Sequence, residues 1–60
     1  MTTIILTDPL RATEAGSWAV NNIVSEYWTL HVENVTTKHP RYEFSFRHKK
    51  DATMFALKWI

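Results

Sequence analysis

Tyr42-Glu-Phe-Ser-Phe46-Arg-His-Lys-Lys-Asp51-Ala-Thr-Met-Phe-Ala-Leu-Lys-Trp59 holds an alternating strand, a basic turn and a short apolar segment. Tyr42, Phe44 and Phe46 fall on one face of the strand and Arg41, Glu43, Ser45 and Arg47 on the other, the two-residue period of a half-buried strand. Upstream, Trp28, Leu30 and Val32 alternate in the same way with Tyr27, Thr29, His31 and Glu33. Matching apolar with apolar sets Trp28 opposite Phe46, Leu30 opposite Phe44 and Val32 opposite Tyr42. The same register sets Glu33 against Arg41, His31 against Glu43, Thr29 against Ser45 and Tyr27 against Arg47. Both faces thus agree on one antiparallel hairpin, closed by a loop over residues 34–40.

Outward from the hairpin, Ile4, Ile5 and Leu6 mark a strand over residues 2–7. It is apolar on both faces, which predicts an internal position in the sheet. Asp8-Pro9 stops it and supplies a helix start, with Asp as N-cap and Pro at the first helical position; a start at Thr13 is the alternative. Ala12, Ala15, Gly16, Ala19, Val20, Ile23 and Val24 recur at helical spacing. The small residues, Gly16 included, predict close approach of this helix to the sheet. Trp18 falls off the stripe: either it laps over the sheet edge or it is exposed, and in the second case it is a candidate interface residue.

After His48-Lys-Lys, Asp51 is expected to cap a short helix over Ala52–Leu57, with Ala52, Phe55 and Ala56 inward. Leu57-Lys-Trp-Ile60 either finishes that helix or, with Leu57 and Trp59 alternating against Lys58, forms a closing edge strand; the strand is favoured. The order is then β-α-β-β-α-(β), an α+β class, shortened ferredoxin-like layout in a single domain, residues 1–60, with two helices on one face of an antiparallel sheet.

Sixty residues bury only about 60% of the surface of the unfolded chain, so stability is expected to be marginal without disulfides, metal or a partner. There is no cysteine, which removes disulfides, thiol nucleophiles and Cys-based zinc sites. Three tryptophans among eight aromatic residues supply a dense core, and self-association is the remaining remedy. No apolar run approaches the ~20 residues needed to cross a bilayer, and the N-terminal stretch has no basic n-region or cleavage site. The expected setting is intracellular, in a cytoplasm, without membrane attachment. Asn34-Val-Thr36 then reads as a chance glycosylation match.

The tail from Asp51 to Trp59, behind an aromatic alternating strand, resembles the end of many short proteins encoded by tailed phages, marine ones especially. The resemblance covers residues 41–60 and implies a phage origin and a host-cell location, with no activity attached. The same stretch resembles the third strand and second helix of RNA-recognition motifs, whose aromatic residues stack on bases. It departs from them in having one apolar face. Exposing Tyr42, Phe44 and Phe46 to bases would bury Arg41, Glu43 and Arg47, at several kcal/mol for each unpaired charge, on the order measured for buried ions. The rings are therefore expected in the core.

Little chemistry remains. His31, His39 and His48 are spread along the hairpin, so no shared metal site is expected. His31 beside Glu43 reads as a solvated cross-strand pair, since no nucleophile or phosphate-cradling glycine loop accompanies it. No enzymatic activity and no cofactor are expected.

Charge is uneven. Residues 1–37 set Arg11 against Asp8, Glu14, Glu26 and Glu33, a net −3; residues 38–60 carry six basic residues against Glu43 and Asp51, a net +4. Arg47, Lys49, Lys50 and Lys58 are the candidate contacts for an anion or a nucleic acid. Trp18, Tyr27, His31 and Trp59 are the candidate protein interface, on the open sheet face or the last edge. The leading expectation is a small non-enzymatic interaction protein that pairs with itself or with a host or phage protein. The alternative is a nucleic-acid-binding accessory protein using the basic turn.

Overall fold

A computed structural model describes residues 2–34 and 40–60. The elements run β1 (Thr2–Leu6), α1 (Pro9–Asn22), a 3-10 turn (Ser25–Tyr27), β2 (Trp28–Glu33), β3 (Arg41–Phe46) and α2 (Lys49–Trp59). The three strands form one antiparallel sheet in the order β1-β3-β2. The architecture is α+β, with two helices packed on one face of the sheet.

The hairpin register is the one that both faces of the sequence demand, from Trp28 opposite Phe46 to Glu33 opposite Arg41. Asn34 follows β2 with φ 57°, a left-handed conformation that Asn tolerates better than most residues. Residues 35–39 of the connection, including His39 and most of the Asn34-Val-Thr36 pattern, lie outside the described residues.

Phe44, Phe46 and Phe55 are fully buried and form the centre of the core, joined by Ile4, Leu6, Ala12, Ala15, Ile23 and Ala52. The Phe55 ring lies 4.7 Å from Phe44 and 5.0 Å from Phe46. Tyr42 is partly buried against the same cluster. The aromatic row of β3 thus points inward, where bases cannot reach it.

α1 begins where the sequence places it. Asp8 accepts a hydrogen bond from the Leu10 amide at 3.1 Å, and Pro9 occupies the first turn. Ala12, Ala15 and Ala19 form its buried face. One expectation for this helix fails. A Cβ built on Gly16 meets nothing within 4 Å, so close packing does not explain the glycine. Trp18 is half-buried, its ring 6.2 Å from Phe55, because its side of the helix faces α2 rather than solvent.

α2 departs most from expectation. It starts at Lys49 with His48 as N-cap, so Asp51 stands inside the first turn instead of capping it. It also runs through Trp59, so residues 57–60 form no strand. Ala52, Phe55, Ala56 and Trp59 recur at three- and four-residue intervals and pack inward. Leu57, whose alternation with Trp59 suggests a strand, is 81% exposed. The Ile60 amide donates to the Ala56 carbonyl, and Arg11 Nε donates to the Trp59 carbonyl at 2.9 Å, which satisfies the helix end. With no closing strand, β1 pairs only with β3 and is an edge strand, not an internal one.

Candidate functional site

The free edge of β1 is the most distinctive surface. Among the described residues its outer backbone groups have no strand beside them, because the sheet ends there. Thr2–Leu6 contains neither charge nor proline, the devices by which edge strands usually discourage pairing. Ile4 and Leu6 face the core, whereas Ile5 lies on the open face and is 43% exposed. Beside this edge, under α2, runs a groove of about 220 Å³ lined by Thr2, Ile4, Lys49, Ala52, Thr53 and Ala56. Apart from the Lys49 ammonium, its walls are aliphatic groups and two threonines. Sequence reasoning missed this site because two-sided apolarity was read as burial between strands. The signal that could have found it was the same five residues without any edge protection.

The other edge is different. β2 carries His31 and Glu33 on the open face, joined at 3.2 Å along the strand. On its inner face Leu30 and Val32 remain 42% and 37% exposed, because α2 packs over β1 and β3 and α1 over β1 and α2. β2 therefore presents apolar surface to the side and the His31–Glu33 contact at its rim.

The open sheet face is polar. Glu33 and Arg41 are register partners, as are His31 and Glu43, yet the charges pair along the strands: His31 with Glu33, and Arg41 with Glu43 at 3.8 Å. The expected cross-strand pairing holds in the backbone and is rearranged in the side chains. Thr3 and Ser45 share a hydroxyl contact at 3.1 Å. Tyr27 sets its ring edge-on to His48 at 4.6 Å, not on Arg47, although the Arg47 amide donates to the Tyr27 carbonyl.

Arg47, His48, Lys49 and Lys50 are exposed together at the start of α2. Lys58 is not part of that cluster. It sits nine residues further along the same helix, roughly 13 Å away at 1.5 Å per residue, with its ammonium 5.6 Å from the Trp59 ring centroid. Trp59 is half-buried between Lys58 and Arg11, whose guanidinium carbon lies 5.8 Å from the ring centroid. Of the four candidate interface residues, Tyr27 and His31 are exposed, while Trp18 and Trp59 are tied into the core.

Among the described residues no three His, Asp or Glu side chains converge as a metal site would require, and no helix is long and apolar enough to cross a membrane. No protein-family model, curated protein or solved structure matches the chain.

Proposed function

We propose that this chain is a non-catalytic interaction module that pairs with a second copy along β1. The observation that carries the reading is an uncharged, proline-free edge strand beside an apolar groove. In the ferredoxin-like layout a fourth strand would lie there; on this reading the fold is that layout without its closing strand, and a partner's β1 takes the vacant place. An antiparallel pair centred on Ile4 sets Ile4 against Ile4 of the second copy on the helix side, and Thr3 against Ile5 on the open side. It joins two three-stranded sheets into one of six strands and covers the exposed Ile5. A β2 pair is disfavoured by comparison, because centring it on His31 opposes imidazole with imidazole and carries Glu33 into the seam. The likeness to tailed-phage proteins and a host cytoplasm belong to the same proposal, as the setting in which such a module would work.

Sedimentation equilibrium over a concentration series tests it. The expected result is a monomer–dimer equilibrium in the parent chain and a folded monomer in the Thr3→Lys, Ile5→Lys double variant. Both positions are exposed in the monomer, so the variant loses pairing without losing its core. A dimer that survives the double substitution would remove the β1 seam from consideration.

A second reading rests on the four contiguous exposed residues Arg47, His48, Lys49 and Lys50. Such a patch neutralises few phosphates, so its binding to single-stranded DNA would be weak and steeply salt-dependent. Fluorescence anisotropy at low and moderate salt measures this, and no binding at low salt rules the patch out.

A further inference from the structure

The cleft between the end of α1 and the start of α2 holds a carboxylate with no partner. Asp51 is 8% exposed, the one buried charged side chain among the described residues. Its backbone amide donates to the His48 carbonyl, but its side chain makes no hydrogen bond or ion pair among the described residues. Buried carboxylates ordinarily have donors, because taking the charge out of water is otherwise costly. The positive end of α2 lies beside it, a favourable place for an acidic side chain. What remains of its surface opens into a cleft of about 350 Å³ that it lines with Asn22, Tyr27, His48 and Lys50.

The other walls favour positive charge. Tyr27 and His48 stand edge to face at 83°, and the face of a tyrosine ring is one that draws cations. α1 ends at Asn22 with no basic residue in its last turn, although Asn21, Asn22 and the Ile23 amide donate to carbonyls near its end. The positive end of α2 opposes a bound cation, and so does Lys50. Lys50 neighbours Asp51 on α2, where successive side chains diverge by about 100°, and it makes no ion pair with the carboxylate. It is exposed, so water screens its charge more than the cleft screens that of Asp51.

We infer that this cleft binds an organic cation bearing N–H donors, a guanidinium or ammonium group, with Asp51 as its counter-ion and the Tyr27–His48 corner as its wall. The group could belong to an arginine or lysine side chain of another protein or to a free amine. The site shares no lining residue with the groove beside β1, although both use the first turns of α2.

Amide chemical-shift titration of the full chain tests it, with N-acetyl-arginine amide, n-butylammonium, N-acetyl-citrulline amide and inorganic phosphate as probes. The expected result is saturable shifts at residues 22–24 and 48–51 with the cations and none with citrulline. The tighter of the two cations identifies the source as a side chain or a free amine. Asp51→Asn should abolish the shifts, and Lys50→Gln should lower the half-saturation concentration several-fold by removing the competing charge. Lys50 is exposed, so that comparison stands even where Asp51→Asn fails to fold. Equal shifts with citrulline, weaker cation binding in Lys50→Gln, shifts with phosphate alone, or no cation response would each overturn the assignment.

Discussion

The ring of Phe55 lies 4.7 Å from that of Phe44, and both are fully buried. With the Phe46 ring 5.0 Å from Phe55 as well, this contact fastens α2 to the central strand. A 60-residue domain has a stability of roughly 3–9 kcal/mol at the usual ~0.05–0.15 kcal/mol per residue. Removing a buried phenylalanine ring costs about 3–5 kcal/mol. Phe55→Ala should therefore leave the chain largely unfolded at 25 °C, while Phe55→Leu should fold with a lowered urea midpoint. Far-UV circular dichroism under urea measures both. A cooperative transition for Phe55→Ala near that of the parent would show that α2 is not held by this ring.

Gly16 offers the opposite change. It lies within α1, has negative φ, and has open space where a Cβ would be. Gly16→Ala should stabilise the fold by about 1 kcal/mol through helix propensity alone. In a domain of this size that raises Tm by roughly 4–8 °C. A fall in Tm on thermal denaturation would mean that the backbone at residue 16 needs the glycine after all.

Arg11 joins the start of α1 to the end of α2 through its hydrogen bond to the Trp59 carbonyl. Arg11→Ala should fray the last turn of α2, with loss of about 0.5–1.5 kcal/mol as for an ordinary hydrogen bond. Arg11→Lys should restore little, since a compact ammonium lacks the planar donor set. Hydrogen exchange at the Ile60 amide, which donates to Ala56, reads the effect locally. Unchanged exchange in Arg11→Ala would show that the packing of Trp59 alone closes the helix.

His31 and Glu33 form an exposed pair on the rim of β2. His31→Ala should change stability by less than about 0.5 kcal/mol, as for most surface substitutions. Urea denaturation is the check. A larger loss would mark the imidazole as part of a buried contact, and with it the β2 rim as an interface.

The hairpin was legible because two independent constraints, apolar pairing on one face and polar pairing on the other, select the same register. The start of α1 was legible because Asp8-Pro9 both ends a strand and caps a helix. The tail was not. Leu57-Lys-Trp-Ile60 is too short for its period to separate strand from helix, and packing of Trp59 four residues after Phe55 decided it. That one decision also moved β1 from the middle of the sheet to its edge, so the proposed interface became visible only with the topology. Side-chain pairing across the open face was beyond reach for a different reason. Exposed charges choose between neighbours along and across the strands on energies well below 1 kcal/mol, about the worth of a surface ion pair. Asp51 read as a cap from sequence because nothing in Lys49-Lys50 announces an earlier helix start.

The proposed pairing is tested most directly by isotope-filtered nuclear Overhauser measurements on an equal mixture of labelled and unlabelled chain. The account predicts intermolecular contacts from Ile4 to Ile4 and from Thr3 to Ile5, at concentrations where sedimentation reports a dimer. Intermolecular contacts confined to β2 or the helices, with none from β1, would contradict it.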